Sequence, residues 1–211
     1  MSKEKKITLI ESKEIKDKVK IGGKTLSFDK YKPGMVKGHV IVTAVDKNGN
    51  PVWVEERNNL VVIVGRSWLM QKAFNVDYPG QSVKHEFLTW FSIGSGGADS
   101  SDPFTPIAPN DSDVELFNRT QFGTDPALYA DGGYKKAFTS LEYPDVTSAK
   151  LVLTVDYGEA NGTLVNEIGL FASNSNDPAA ATDFLLFSHA TFPSHPKNSS
   201  VKFIIEWYFL F

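Results

Sequence analysis

One segment, Val201-Lys-Phe-Ile-Ile-Glu-Trp-Tyr-Phe-Leu-Phe211, constrains the fold of this chain more than any other. Val201, Phe203, Ile205, Trp207, Phe209 and Phe211 fall on one face, the two-residue period of a strand lying on a core. The opposite face carries Lys202, Ile204, Glu206, Tyr208 and Leu210, too apolar for open water and too polar for a sealed core. This pattern predicts a strand whose first face closes the chain's own core. Its second face is expected to be partly covered, either by another part of the chain or by a second chain. Trp207 is therefore read as a structural core residue, and Tyr208 and Leu210 as candidate interface residues. At about 3.3 Å per residue the run spans about 36 Å, so its end is expected to project past its own sheet, open to pairing.

The rest of the chain repeats the strand signal. Residues 40–45 and 52–54 flank Asp46-Lys-Asn-Gly-Asn-Pro51, in which Asn-Gly is hairpin-turn chemistry. Asp46, Asn48 and Asn50 also occupy the first, third and fifth positions of a calcium loop. That reading fails, because Pro51 and Arg57 stand where such a loop needs Gly and Glu. Further strands are expected at residues 87–93, 135–143, 149–157, 164–171 and 184–192. Residues 65–74 are the single helical candidate, with Val61, Trp68, Leu69 and Ala73 on one side to plug a sheet face. About eight or nine strands in a chain of 211 residues predict an all-β fold, an antiparallel sandwich or barrel-like arrangement, of which an antiparallel β-sandwich with one short helix is the expected form. Residues 94–110, with three prolines and three glycines, form a loop long enough to be functional.

Charge divides the chain. Residues 1–37 hold 11 Lys against 5 acids, net +6, leaving 11 bases against 20 acids, net −9, in a chain that totals −3. This predicts an extended basic N-terminal arm, residues 1–37, on an acidic domain, residues 38–211. The arm interleaves aliphatics with its lysines, whereas a nucleic-acid tail is richer in Arg and poorer in aliphatics. Its expected partner is therefore an acidic protein neighbour, with Ile7, Leu9, Ile10 and Ile15 as interface candidates and no direct nucleic-acid readout. There is no cysteine, which excludes disulfides and thiolate metal sites. No apolar run approaches the ~18 residues of a membrane span, so a soluble protein made in the cytosol is expected.

Catalytic patterns are missing. Gly65-Arg-Ser-Trp-Leu69 lacks the closing Gly of a nucleophile elbow, and Gly94-Ser-Gly-Gly97 lacks the Lys-Ser/Thr of a P-loop. The second is read as a tight turn exploiting the positive φ open to Gly. His189 and His195, separated by Pro193, are read as ordinary polar positions near strand ends. Glu55 and Glu56 face opposite ways on a strand, as two solvated carboxylates. No enzyme activity, cofactor or metal site is expected. A glycan-binding module remains an alternative, but Trp53, Trp68, Trp90 and Trp207 lie in apolar periodic segments, leaving Tyr129 and Tyr134 as the surface aromatics. Glu167 lies in an apolar strand and needs a basic or backbone donor, for which Arg66 and Arg119 are candidates.

The order of segments carries a resemblance. Asn59-Leu-Val-Val-Ile-Val-Gly-Arg-Ser-Trp-Leu69, Phe91-Ser-Ile-Gly-Ser-Gly96, Asp113-Val-Glu-Leu-Phe-Asn-Arg119, Asn166-Glu-Ile-Gly-Leu-Phe171, the stretch from Leu185 to Pro193 with Lys197, and Ile205-Glu-Trp-Tyr-Phe209 follow one another. This succession resembles tail, baseplate and neck-type structural proteins of tailed bacteriophages, over roughly residues 58–211. The resemblance implies a virion component made in the host cytoplasm that assembles with other virion proteins and with copies of itself in a symmetric homo-oligomer. It implies no catalytic residue and no cofactor. A capsid decoration or head-fibre protein is the alternative within the same setting.

Overall fold

The computed structural model describes residues 18–21, 24–27, 36–74, 87–118, 135–177 and 180–211. Two short strands, β1 (Lys18–Ile21) and β2 (Lys24–Ser27), pair antiparallel as a hairpin of their own, so the arm carries local structure. The remaining elements are β3 (Lys37–Val45), β4 (Pro51–Val61), α1 (Ile63–Phe74), β5 (Phe87–Gly94), β6 (Lys135–Ala137) and β7 (Ser140–Asp145). They are followed by β8 (Ser148–Val155), β9 (Thr163–Ser173), β10 (Phe184–Lys197) and β11 (Lys202–Leu210).

The strands from β3 onward form one nine-stranded sheet in the order β6-β5-β9-β10-β4-β3-β11-β8-β7, every neighbouring pair antiparallel. The all-β, antiparallel expectation with a single helix holds for the described residues. In place of the two separate sheets of a sandwich, this sheet curls into a half-barrel. The curl has a narrow seam: β10 meets β4 through only Ser188↔Val61 and His189↔Leu60. On the concave side Val40, Val42, Phe203, Ile205 and Trp207 from one leaf pack into the same core as Ile168, Leu170, Ala190 and Phe192 from the other. Each large side chain removed from water there contributes about 1.5–3 kcal/mol.

Helix α1 closes this core. Trp68 is 8% exposed and meets Phe187 edge to face at 5.7 Å, while Ala73, expected on the same side, is exposed. The approach needs a glycine, because a Cβ on Gly65 would lie 2.2 Å from the Phe187 carbonyl oxygen. The 46–51 segment is the expected hairpin turn. Asp46 Oδ1 accepts from the backbone N–H groups of Asn48 and Asn50, and Gly49 takes φ 85°.

β11 corrects the expectation of a projecting, unpaired end. It is a central strand, paired along Lys202–Leu210 with β3 and from Phe203 onward with β8. Its first face is core, with Trp207 2% exposed. Its second face is closed at one end and open at the other. Tyr208 is 1% exposed and neighbouring Ile41 and His39 are buried, whereas Val54, on the same face two rungs away, is exposed. Tyr208 thus spends its surface inside the chain, against the expectation that it meets a second one, because both faces of a central strand are available for burial. Its hydroxyl donates to Glu206 Oε1, and burial, followed by the Glu206 charge, holds the phenol well above its ordinary range. Leu210 is half-buried.

Candidate functional site

The most elaborate polar arrangement lies on the convex side of the β5-β9-β10 leaf, under residues 95–118. β9 places Glu167 in an apolar strand at 0% exposure, where an unsatisfied carboxylate is costly. Four donors satisfy it. Oε1 accepts from the N–H groups of Gly96 at 2.9 Å and Asn118 at 2.8 Å. Oε2 accepts from the Phe117 N–H at 2.8 Å and lies 3.0 Å from His189 Nε2. β10 supplies His189, also 0% exposed, whose Nδ1 is 2.9 Å from Asp113 Oδ2. That Asp113 oxygen also accepts from the Asn110 N–H at 2.8 Å.

The geometry assigns the protons. Glu167, held in its ionised form by these donors, can only accept, so His189 Nε2 is read as the donor to it. Its Nδ1 lies against a second carboxylate, that of Asp113. Burial pushes the Glu167 carboxyl up. The His189 bond and the N–H groups of Asn118, Gly96 and Phe117 outweigh it, leaving the group below its ordinary 4.5.

This cluster is a clamp on the loop above it. Glu167 grips both ends of the loop, at Gly96 and at Phe117 and Asn118, while His189 holds its middle through Asp113. Asn166 Oδ1 accepts from the Gly97 N–H at 2.7 Å, Thr191 Oγ1 donates to the Ile107 carbonyl, and the Ser194 N–H donates to the Pro103 carbonyl. The glycines serve close approach here, in place of the positive φ expected of them. A Cβ on Gly94 would sit 2.4 Å from Glu167 Oε1, and one on Gly97 2.5 Å from the Asn166 carbonyl oxygen. Between the loop and the near ends of β9 and β10 a cleft of about 680 Å³ remains, lined among others by Asp99, Pro103, Ile107, Leu164 and Asn166. His189 is sealed from solvent with both ring nitrogens engaged, so it cannot reach a substrate.

The expected partner for Glu167 is only half right. Backbone donors hold it, but Arg66 instead donates to the Val61 carbonyl at 2.7 Å and to Asp111 Oδ1 at 3.1 Å. Arg119 lies outside the described residues, as do Ile7, Leu9, Ile10, Ile15, Tyr129 and Tyr134. His189 and Asp113 are the functional pair that sequence reasoning missed. The available signal was His189 itself, a titratable residue inside the apolar run Phe184-Leu-Leu-Phe-Ser-His-Ala-Thr-Phe192, where burial demands a partner. His195 also belongs to a cluster: it stacks on Trp53 at 3.8 Å, and its Nε2 lies 3.0 Å from Glu55 Oε1, with Arg57 bridging to Glu55 at 2.7 Å. Glu55 is thus paired, where two solvated carboxylates were expected, because β10 continues through Pro193 to Lys197 beside it.

Compared with family models, with curated protein sequences and with solved structures, the chain matches none of them.

Proposed function

We propose that this chain is a structural component of a tailed-phage virion, in the tail, baseplate or neck region, acting by protein–protein assembly and carrying no catalytic function. The observation that supports this reading is the clamped loop. A buried hydrogen-bond network ties residues 95–118 to the leaf while the loop turns Phe104 and Val114 outward at 72% and 68% exposure. Large apolar side chains on a pre-organised loop suit a contact with another chain, since little ordering cost is left for association. Four of the six segments whose order carries the phage resemblance contribute to this device: Gly94 and Gly96 from one, Asp113, Phe117 and Asn118 from the next, then Asn166 and Glu167, and His189.

Glycan binding has less support. Trp68, Trp90 and Trp207 are buried, and Trp53 carries His195 on its face, so no described tryptophan offers an open face for a sugar. The assembly reading is tested by mass spectrometry and immuno-gold microscopy of purified particles from a host culture producing the chain. Stoichiometric presence in particles with a fixed label position is expected. A chain abundant in the lysate but missing from purified particles overturns the reading.

A further inference from the structure

We propose that residues 95–118 and the cleft beside them dock the basic N-terminal segment of a second copy of this chain. The inference rests on the assembly reading above and names its contact. The loop holds five acids, Asp99, Asp102, Asp111, Asp113 and Glu115, and no Lys or Arg. Asp113 is committed to His189 and Asp111 to Arg66. Asp99 and Asp102 are exposed, and their bonds stay within the loop. Asp99 accepts from the N–H and hydroxyl of Ser101, and Asp102 accepts from the Phe104 N–H and the Thr105 hydroxyl. Among the described residues, no cation lies on either carboxylate. Beside them stand exposed apolar groups: Phe104 and Ile107 on the loop and, across the cleft, Leu164 at 52% exposure.

A surface that pairs uncompensated carboxylates with aliphatic and aromatic groups fits a segment that pairs lysines with aliphatics. Within this chain that composition belongs to residues 1–37, with 11 Lys, 5 acids and Ile7, Leu9, Ile10 and Ile15, against a body of net −9. Residues 1–17, ahead of β1, span about 56–61 Å if fully extended, a long reach from their attachment at β1. An arm donated in this way makes a head-to-tail contact, which closes as a ring or propagates as a stack. The clamp ties the receiving loop to the leaf, which lowers the ordering cost on that side of the contact.

The test uses the full chain. Equal amounts of unlabelled and ¹⁵N-labelled protein are mixed, joined with a zero-length carbodiimide that couples amines to carboxylates, and analysed by mass spectrometry. Cross-links between lysines of residues 1–37 and Asp99 or Asp102 are expected as mixed-isotope pairs. In parallel, sedimentation velocity compares the wild type with Asp99→Asn/Asp102→Asn, a pair that keeps the turn-capping oxygens and hence the loop. The variant is expected to need about tenfold more protein to associate at low salt, with the gap closing near 1 M salt, where the screening length falls to about 3 Å. Cross-links of one isotope only place the arm on its own body and overturn the proposal. Association that the double variant leaves unchanged overturns it too, while leaving the assembly reading standing on some other surface. A wild type that stays monomeric overturns it as well, and particle composition then decides the assembly reading separately.

Discussion

Replacing Glu167 by Gln tests the clamp with almost no change of shape. The amide oxygen, turned toward the Oε1 position, keeps the N–H groups of Gly96 and Asn118, while the NH₂ group faces the Phe117 N–H and His189 Nε2. With its N–H on Nδ1 toward Asp113, His189 accepts from the amide through Nε2. The Phe117 N–H is then left without an acceptor, at about 1–3 kcal/mol, and two charge-assisted bonds become neutral ones, at about 1 kcal/mol each. The expected loss is about 3–5 kcal/mol, a large part of the roughly 5–15 kcal/mol that holds a domain together. Urea denaturation measures the total, and hydrogen exchange at the Gly96, Phe117 and Asn118 amides locates it. The pH dependence has a definite sign. The folded carboxyl lies below its ordinary 4.5, so its contribution is fully present above that value and is lost as pH falls through the folded one. The share of the gap between wild type and Glu167→Gln that comes from this carboxyl is therefore present at neutrality and narrows in acid. A loss below about 1 kcal/mol, with unchanged protection at those three amides, refutes the clamp.

Three further outcomes are expected. Trp207→Ala, at a site 2% exposed, loses about 3–5 kcal/mol in chemical denaturation. Tyr208→Ser is expected to destabilise the isolated chain by a similar amount, since Tyr208 is 1% exposed within it. A folded, fully stable monomer that merely assembles poorly contradicts this. Gly65→Ala inverts the usual helix preference. Alanine is ordinarily better than glycine in a helix by about 1 kcal/mol, but here its Cβ meets the Phe187 carbonyl at 2.2 Å, so the urea midpoint is expected to fall with a loss of about 1–3 kcal/mol.

Strand and helix positions were legible in the chain because alternation and turn chemistry act over a few residues. The β11 face with Phe203, Ile205 and Trp207, the 46–51 turn and the single helix all rest on such local signals. The need of Glu167 for a partner was legible too, as the cost of a carboxylate in an apolar strand. The identity of that partner was not. Its donors stand 49, 50 and 71 residues away along the chain, and 22 residues away at His189. Three of them are backbone N–H groups that no residue type announces.

The sequence by itself determined the period-two pattern of an antiparallel all-β fold, the basic composition of residues 1–37 against the acidic remainder and the commitment of Trp207 to the core, since composition and periodicity follow from residue identity alone. Only the tertiary structure decided that the strands close into one curled sheet, that β11 runs through its middle with both edges paired, and that Tyr208 is sealed inside. It also decided that His189 joins Asp113 to Glu167 beneath the loop. These are relations between segments distant in the chain. The physical reason is that pairing order and buried hydrogen bonds are chosen by the free energy of the whole packed state, in which each backbone group and each charge must find its partner at once.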